Sequence, residues 1–322
     1  MQLSELPNPS LTESLIRKES EASGLPQTSS HWVEMHKHTV AAVEDQPAGR
    51  QELRLRGFGF GNLRCHPLQW PLEQLTIWLN LLRAQGRDDV VRGMNLLRNL
   101  FRKQPRDMRL QLTYDVVRQV LVWTTINKFL PKKKSLTWCV IGDGYGVFSA
   151  LIKAIYPEAK LYLIDLPKTL IFQTVYLQLM HPDASHSLAE EERDTDFVYC
   201  AAPHLPEVRG GIDVFVNVAS MQEMTKRAIK GYFDFIRKAG GPGHLFYCCN
   251  RVEKTLPDGE VVRFEEYPWS EEDTIYLDGI CSYHRFFLHL RTRPQGPKVF
   301  GIRVPFINYY DGDVRHRVAT LG

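Results

Sequence analysis

The chain has 322 residues, a formal net charge of +3, 43% hydrophobic residues and 24% charged residues. That balance is ordinary for a globular fold with a sizeable core, and the charge is too small to point to nucleic acid. No apolar run approaches the ~20 residues that cross a bilayer, and 1–22 lacks the basic-then-apolar pattern of a leader, so a cytoplasmic protein is expected. Six scattered cysteines without a C-x-x-C pair are expected to be free, buried thiols, without zinc.

Residues 1–27 are polar, with one helix expected over Leu11–Ser23, capped by Ser10 with Glu13 three residues on. A second helix is expected over His31–Val43. Its histidines, His31, His36 and His38, lack the i, i+4 spacing and carboxylate support of a metal site. Leu55-Arg56-Gly57-Phe58-Gly59-Phe60-Gly61 cannot be a helix interior. It reads either as a tight turn under a helical layer or as a lid strip, with Arg56 and Arg64 reaching toward a ligand. Helices follow over Pro71–Gln85, Asp88–Arg102 and Leu112–Phe129, the first and last with apolar residues at helical spacing. Pro131 and the solvated Lys132-Lys133-Lys134 end this mainly helical N-terminal or lid region, 1–131, and a ligand-binding domain is expected over 132–322.

Trp138-Cys139-Val140-Ile141 is an apolar run followed by Gly142-Asp143-Gly144-Tyr145-Gly146, a helical pattern over Val147–Ile155, and a second apolar run, Leu161–Ile164, ending on Asp165. This order of strand, glycine turn, helix, strand and terminal acid describes one βαβ unit, which binds nucleoside cofactors outside the carboxyl ends of its strands. Val147 fills the slot of the third glycine of the dinucleotide fingerprint, and Asp143 puts an anion where a pyrophosphate would lie. A cofactor without pyrophosphate, such as a cationic sulfonium, fits this spacing. Asp165 has the lone pairs to accept from both ribose hydroxyls.

Beyond Leu166-Pro167 a helix runs to Met180 and stops at His181. Residues 184–194 read as a loop or short helix. Strands are expected over Phe197–Ala202, Ile212–Val218 and His244–Cys249, with an amphipathic helix over Thr225–Lys238. Arg251–Ser270 looks like an insertion with a hairpin turn at Pro257-Asp258-Gly259. Its Tyr267 and Trp269, with Tyr276, serve either as a substrate wall or as core. Arg285–Leu290 and Val299–Val304 are assigned as the last two, antiparallel strands, and 309–322 as an exposed tail.

On Arg56-Gly57-Phe58-Gly59, Ile141–Gly146, Asp165-Leu166-Pro167, Asn217–Met224 and Tyr247–Asn250 the chain resembles class I S-adenosylmethionine-dependent methyltransferases, and more narrowly a bacterial sugar O-methyltransferase family. The resemblance spans roughly 56–303, a length judged by motif. It implies a Rossmann-like, doubly wound seven-stranded sheet under a helical N-terminal layer. It also implies S-adenosylmethionine as cofactor and a small-molecule acceptor (a sugar, glycoside or other metabolite). No nucleic-acid or membrane partner is expected, and a homodimer is possible.

For the cofactor, the residues expected to bind are Gly142, Asp143, Gly144, Gly146, Asp165, Leu166, Ala201, Asn217 and Ser220. For an oxygen acceptor a base is needed, and Glu223 is the first candidate, followed by His181 and His284. Each has a structural alternative: Glu223 as a helix-start acid, His181 as a helix terminator, His284 as packing. Asn217 and Asn250 are candidates for orienting a hydroxyl or the cofactor. The strand ends offer Asn217, Ser220 and Asn250 rather than paired carboxylates, so no essential metal is expected. Rival readings are a C- or N-methyltransferase for an amino-acid or peptide-like metabolite, and a cofactor-binding scaffold without catalysis. Val147 and Asp143 oppose a nicotinamide enzyme.

Overall fold

The structure is a computed structural model and describes residues 1–21, 29–47, 50–57, 61, 63–82, 86–191, 193–202, 205–208, 211–291 and 296–322. In chain order the N-terminal part contains α1 (Pro9–Glu21), α2 (Ser30–His36), a hairpin of β1 (Val40–Gln46) and β2 (Arg50–Arg56), then α3 (Trp70–Leu81), α4 (Arg87–Arg102) and α5 (Tyr114–Ile126). The expected helix over 31–43 is thus a short helix followed by a strand, because β1 finds a partner in β2 from Val40↔Arg56 to Gln46↔Arg50. α1 starts earlier than expected: Asn8 Oδ1, not Ser10, accepts from Leu11 N at 3.2 Å, with Pro9 in the first turn. The expected glycine–aromatic lid falls partly on residues 58–60, outside the described residues.

The second part continues with β3 (Thr137–Ile141), α6 (Val147–Ile155), β4 (Lys160–Asp165), α7 (Pro167–Met180), β5 (His186–Leu188), β6 (Phe197–Ala201), β7 (Ile212–Val218), α8 (Lys226–Ala239) and β8 (Gly240–Arg251). Then come the hairpin β9 (Glu253–Thr255) and β10 (Val261–Arg263), β11 (Thr274–Ile280), β12 (Phe286–Leu288), β13 (Lys298–Val299), β14 (Ile302–Arg303), β15 (Ile307–Tyr309) and β16 (Val314–Thr320). Among the described residues the central sheet has eight strands, not seven, in the order β11-β16-β8-β7-β3-β4-β6-β5. The added strand is β5, from a stretch expected to be a loop or short helix, paired in parallel with the start of β6 and followed by one turn of 3-10 helix at Ala189–Glu191. β16 runs antiparallel to both its neighbours, β8 and β11; the other pairs are parallel.

The last two sheet strands are therefore 274–280 and 314–320, not the expected 285–290 and 299–304, which fall in two small separate two-stranded sheets. The reason is charge. Arg315 and Arg317 make the tail read as solvated, yet both reach Asp278 on β11 at 2.7 Å. The Arg317 guanidinium also lies 4.4 Å from the centroid of Trp269, which lets it pack with only 6% exposure.

Strands buried on both faces explain the continuous apolar runs. In β3, Trp138 and Val140 point into one core with α5, α6 and α7; Cys139 and Ile141 point into the other with α8. Tyr267 and Trp269 pack against Phe233 in this second core, so they are packing residues rather than a substrate wall. The first core also takes in Leu11, Leu53, Leu97 and Val120, so the N-terminal helices and hairpin share apolar burial with the sheet. Among the described residues no helix is long and apolar enough to cross a membrane.

β3 is the strand at which the order reverses: the chain steps outward to β4 and the edge strand β5, returns to β6 between them, then crosses to β7 and β8 on the other side of β3. Open α/β sheets bind ligands in the crevice at such a reversal, beyond the carboxyl ends of the strands.

Candidate active site

A cavity of about 780 Å³ occupies that crevice, within the range of small-molecule sites. Its lining includes Gly142, Asp143, Gly144, Asp165, Leu166, Thr169, Ala202 and Ser220 from the glycine turn and strand tips, and, from other segments, Trp32, Asp115, Arg118, Glu223, His284 and Tyr310.

The glycine turn is fixed by its neighbours. Gly142 has φ 78° and donates from N to Ile164 O at 2.9 Å, tying the end of β3 to β4. A Cβ there would overlap the Ser220 hydroxyl, so both conformation and space require glycine. Gly146, at φ 75°, begins α6, and a Cβ on it would meet Leu177 Cγ at 2.9 Å. A glycine cannot cap a helix with a side chain, and Asp143 supplies the missing acceptor: Oδ1 takes Phe148 N at 3.1 Å and Oδ2 takes Ser149 N at 2.8 Å. The Asp143 carboxyl therefore holds the turn onto the helix. Burial pushes its pKa up to about 6 against the opposing hydrogen bonds from Ser149 and Phe148.

Asp165 ends β4 on the cavity wall. Its Oδ1 accepts from Leu166 N at 2.8 Å and its Oδ2 from Gln173 Nε2 at 2.6 Å, which leaves lone pairs for a ligand. Burial raises its pKa to about 7; the Asp143 charge adds to the rise, while donors from Leu166, Gly144 and Gln173 oppose it. Thr169, one turn into α7, lines the same wall, and its buried Oγ1 has no partner among the described residues. A buried hydroxyl without a partner is costly, and a polar ligand in this part of the cavity would satisfy it.

Three of the nine expected cofactor residues do not line the cavity: Gly146, Ala201 and Asn217. Gly146 acts through the turn. Ala201 sits one residue short: the strand's last step places Ala202 on the wall, held by its N–H to Asp165 O at 2.9 Å. Asn217 is fully buried and stitches strands together. Its Nδ2 donates to Ile141 O at 3.0 Å, and its Oδ1 accepts from Asn250 Nδ2 at 2.8 Å. Asn250 Oδ1 in turn takes Gln222 N at 3.0 Å, and Gln222 Oε1 takes Arg251 N at 2.7 Å. This amide network sets the turn that carries Glu223. Ala219 beside it has φ 58°, a left-handed backbone that alanine rarely adopts, on the cavity wall.

Glu223 is half-buried between Lys254 Nζ at 2.8 Å and His31 Nε2 at 3.4 Å. Burial resists its ionisation, but the hydrogen bonds and charge of His31 and Lys254 outweigh it and hold the carboxyl below its ordinary range. His31 is thus a side-chain partner of Glu223. His181, the second candidate base, lies outside the cavity. Its Nε2 is 2.9 Å from Ala150 O, its ring lies 5.9 Å from Phe197, and burial lowers its pKa to about 4. It ends α7 as a neutral packing group.

His284 does line the cavity, with its Nδ1 3.2 Å from Cys281 Sγ. Nearby, Arg118 pairs with Asp115, and its guanidinium lies 5.2 Å from the Tyr310 ring centroid. Sequence reasoning missed Asp115, Arg118, Trp32, Thr169, Gln222 and Tyr310. Arg118 and Asp115 had one local signal, two charges in the first turns of an otherwise apolar helix.

No protein-family model matches the chain, and no curated protein matches it. Among solved structures, a methyltransferase candidate from Bacillus halodurans aligns at 8% identity and TM-score 0.39, over 61% of this chain and 96% of that one. An RNA methyltransferase candidate from Pyrococcus horikoshii aligns at 11% identity and TM-score 0.39, over 71% and 98%. PKMT2 from Rickettsia typhi, in complex with AdoHcy, aligns at 20% identity and TM-score 0.30; the match covers 40% of this chain and 23% of PKMT2. Likeness this slight carries no weight for function.

Proposed function

We propose that this chain is an S-adenosylmethionine-dependent methyltransferase that transfers a methyl group in line to a hydroxyl of a sugar or glycosylated natural product. The observation that carries the reading is the cavity end built from the Gly142–Gly144 turn, Asp165 at the tip of β4 and the partnerless Thr169 hydroxyl at the strand-order reversal. Those residues fit a nucleoside: a carboxylate for ribose hydroxyls, a glycine turn that admits close approach, and an unsatisfied hydroxyl. When bound, the sulfonium supplies an activated methyl group.

The protein's own part is to position and to move one proton. The amide network of Asn217, Asn250 and Gln222 fixes the turn bearing Glu223, so the carboxylate is held at the wall rather than free to rotate. Glu223 is the group that would accept the hydroxyl proton. Asp115, Arg118 and Arg251 offer acceptors and donors for further hydroxyls, and Trp32 and Tyr310 offer ring faces for a sugar's C–H surface. The two regions 1–131 and 132–322 divide the work in this proposal, the first supplying His31, Asp115 and Arg118 and the second the cofactor end.

One observation favours a second reading. His31 and Lys254 lower the basicity of Glu223, which suits an amine acceptor that needs less help with its proton. Calorimetry with S-adenosylmethionine, then mass-spectrometric product detection over a panel of glycosides and amines, tests both. Methylated glycoside supports the first reading and methylated amine the second. Failure of wild-type protein to bind the cofactor would overturn the proposal, and binding without product from any acceptor would leave a cofactor-binding scaffold in its place.

A further inference from the structure

Behind the cavity-lining His284, three side chains from two segments converge: Cys249 near the end of β8, and Cys281 and His284 in the turn after β11. Their ligand atoms all lie within 4.8 Å of one another, and the three residues are buried. Cys281 N donates to Val314 O at 2.8 Å and His284 N to Cys281 O at 3.3 Å, so the backbone presents both side chains to Cys249. We infer that Cys249, Cys281 and His284 form a binding site for a thiolate-preferring divalent metal ion of the zinc class.

The chemistry of the set supports this. Two sulfurs and an imidazole suit zinc rather than magnesium or calcium, which want oxygen. A tetrahedral zinc with Zn–S of about 2.3 Å and Zn–N of about 2.0 Å puts its ligand atoms roughly 3.6–3.8 Å apart. The Sγ of Cys281 and Nδ1 of His284 are 3.2 Å apart and no separation exceeds 4.8 Å, so shifts of about an ångström or less close the site. Two thiolates and a neutral imidazole around a divalent cation sum to zero charge, which a buried position tolerates far better than an isolated ion. Cys281 and His284 have the Cys-x-x-His spacing of short metal-binding turns. The surroundings are polar in the way ligand-orienting shells are: His316 reaches Cys281, and its Nδ1 lies 3.2 Å from the Tyr247 hydroxyl, which in turn bonds the Tyr283 hydroxyl.

A metal here ties the Cys281–His284 turn to β8 and fixes the cavity wall that His284 forms. It also engages His284 as a ligand and leaves Glu223 as the proposed base. The inference rests on the cysteine–histidine geometry alone and is independent of the proposed methyl transfer.

The test uses tag-free full-length protein purified under a thiol-free reductant, stripped with chelator and titrated with cobalt(II). The expected result is thiolate-to-cobalt charge-transfer absorption saturating at about one metal ion per chain. Cys281→Ser and His284→Ala should each weaken binding at least roughly 100-fold, whereas Cys65→Ser should bind as wild type. Folded wild-type protein without saturable cobalt absorption overturns the inference, as does a Cys249–Cys281 disulfide that persists under the reductant. Absorption unchanged in both ligand variants overturns it too. Because the wild-type titration decides by itself, variants that fail to fold do not blunt the test.

Discussion

Two groups of cavity-lining residues, the proposed cofactor end and the proposed acceptor end, are built differently. The first comes from 142–169, one contiguous stretch, with Ala202 and Ser220 from the adjoining strand ends. The second gathers Trp32, Asp115, Arg118, Glu223, His284 and Tyr310 from segments spread along the chain. The first is held by hydrogen bonds between near neighbours in the chain, such as those of Asp143 and Asp165, and by tight packing; the second is held by ion pairs such as Glu223–Lys254 and Arg118–Asp115. A contiguous end changes by failing as a unit; an assembled end can exchange one side chain at a time. Substitutions at the proposed cofactor end should therefore cost folding or cofactor affinity, and those at the proposed acceptor end should change rate or selectivity.

The largest expected effect is at Gly142. Gly142→Ala forces a Cβ into a left-handed backbone, at about 1–2 kcal/mol, and into the Ser220 hydroxyl, for a total on the order of 3 kcal/mol. Thermal unfolding should show it, and Gly142→Ala combined with Ser220→Gly should recover the overlap but not the backbone cost. A variant as stable as wild type would sink the account of this turn.

Next comes Asp165. Asp165→Asn keeps the shape and removes the charged acceptor, so S-adenosylmethionine binding should weaken by roughly 10–100-fold, with little change in the melting temperature of the free protein. The wild-type carboxyl, raised to about 7, is largely protonated below that pH, whereas ribose hydroxyls need the anion as acceptor. Affinity should thus rise from pH 6 to pH 8, by up to about tenfold per unit below the pKa, with proton release on binding visible as buffer-dependent enthalpy. Asp165→Asn should flatten that profile; a steep profile in the variant would assign the proton elsewhere.

Glu223→Gln sharpens the contrast between the ends. It should leave cofactor affinity within a fewfold and lower kcat for a hydroxyl acceptor by on the order of 10–100-fold, the lower part of the range for general bases because His31 and Lys254 weaken this one. For an amine acceptor the same change should be small. The kcat ratio between the two acceptor classes is the measurement.

The same contrast explains what was legible beforehand. β3, α6, β4, β6 and β7 were readable because strands buried on both faces are apolar throughout and Gly142 and Asp165 are local signals. Asp165, Leu166 and Ser220 did fall on the cavity wall, but Asp143's helix contact was hidden: an acid in a glycine turn looks the same whether it faces a ligand or caps a helix. β16 was missed because Arg315 and Arg317 resemble solvent-facing residues until Asp278 and Trp269 are brought beside them. Cys249, Cys281 and His284 could not be grouped in advance, since only the pairing of β8 with β16, Val314↔Arg251 to Ala319↔Phe246, sets the turn after β11 against β8. His181 looked like a base because terminal position says nothing about which side of the sheet a ring faces.

The smallest expected effect lies where the two ends meet. Ala219 holds φ 58° between β7 and the Glu223 turn, with its N–H on Cys249 O at 2.8 Å. Glycine relieves about 1–2 kcal/mol of left-handed strain and adds about 0.5–1 kcal/mol of unfolded-state entropy, so Ala219→Gly should stabilise by no more than about 1.5 kcal/mol. If the strain serves to aim the Glu223 turn at the cavity, the more stable variant should be the slower one, with kcat falling while cofactor affinity holds. Higher stability with unchanged kcat would make Ala219 a property of the strand crossing alone. Lower stability would show that the left-handed backbone is imposed at no cost by its neighbours.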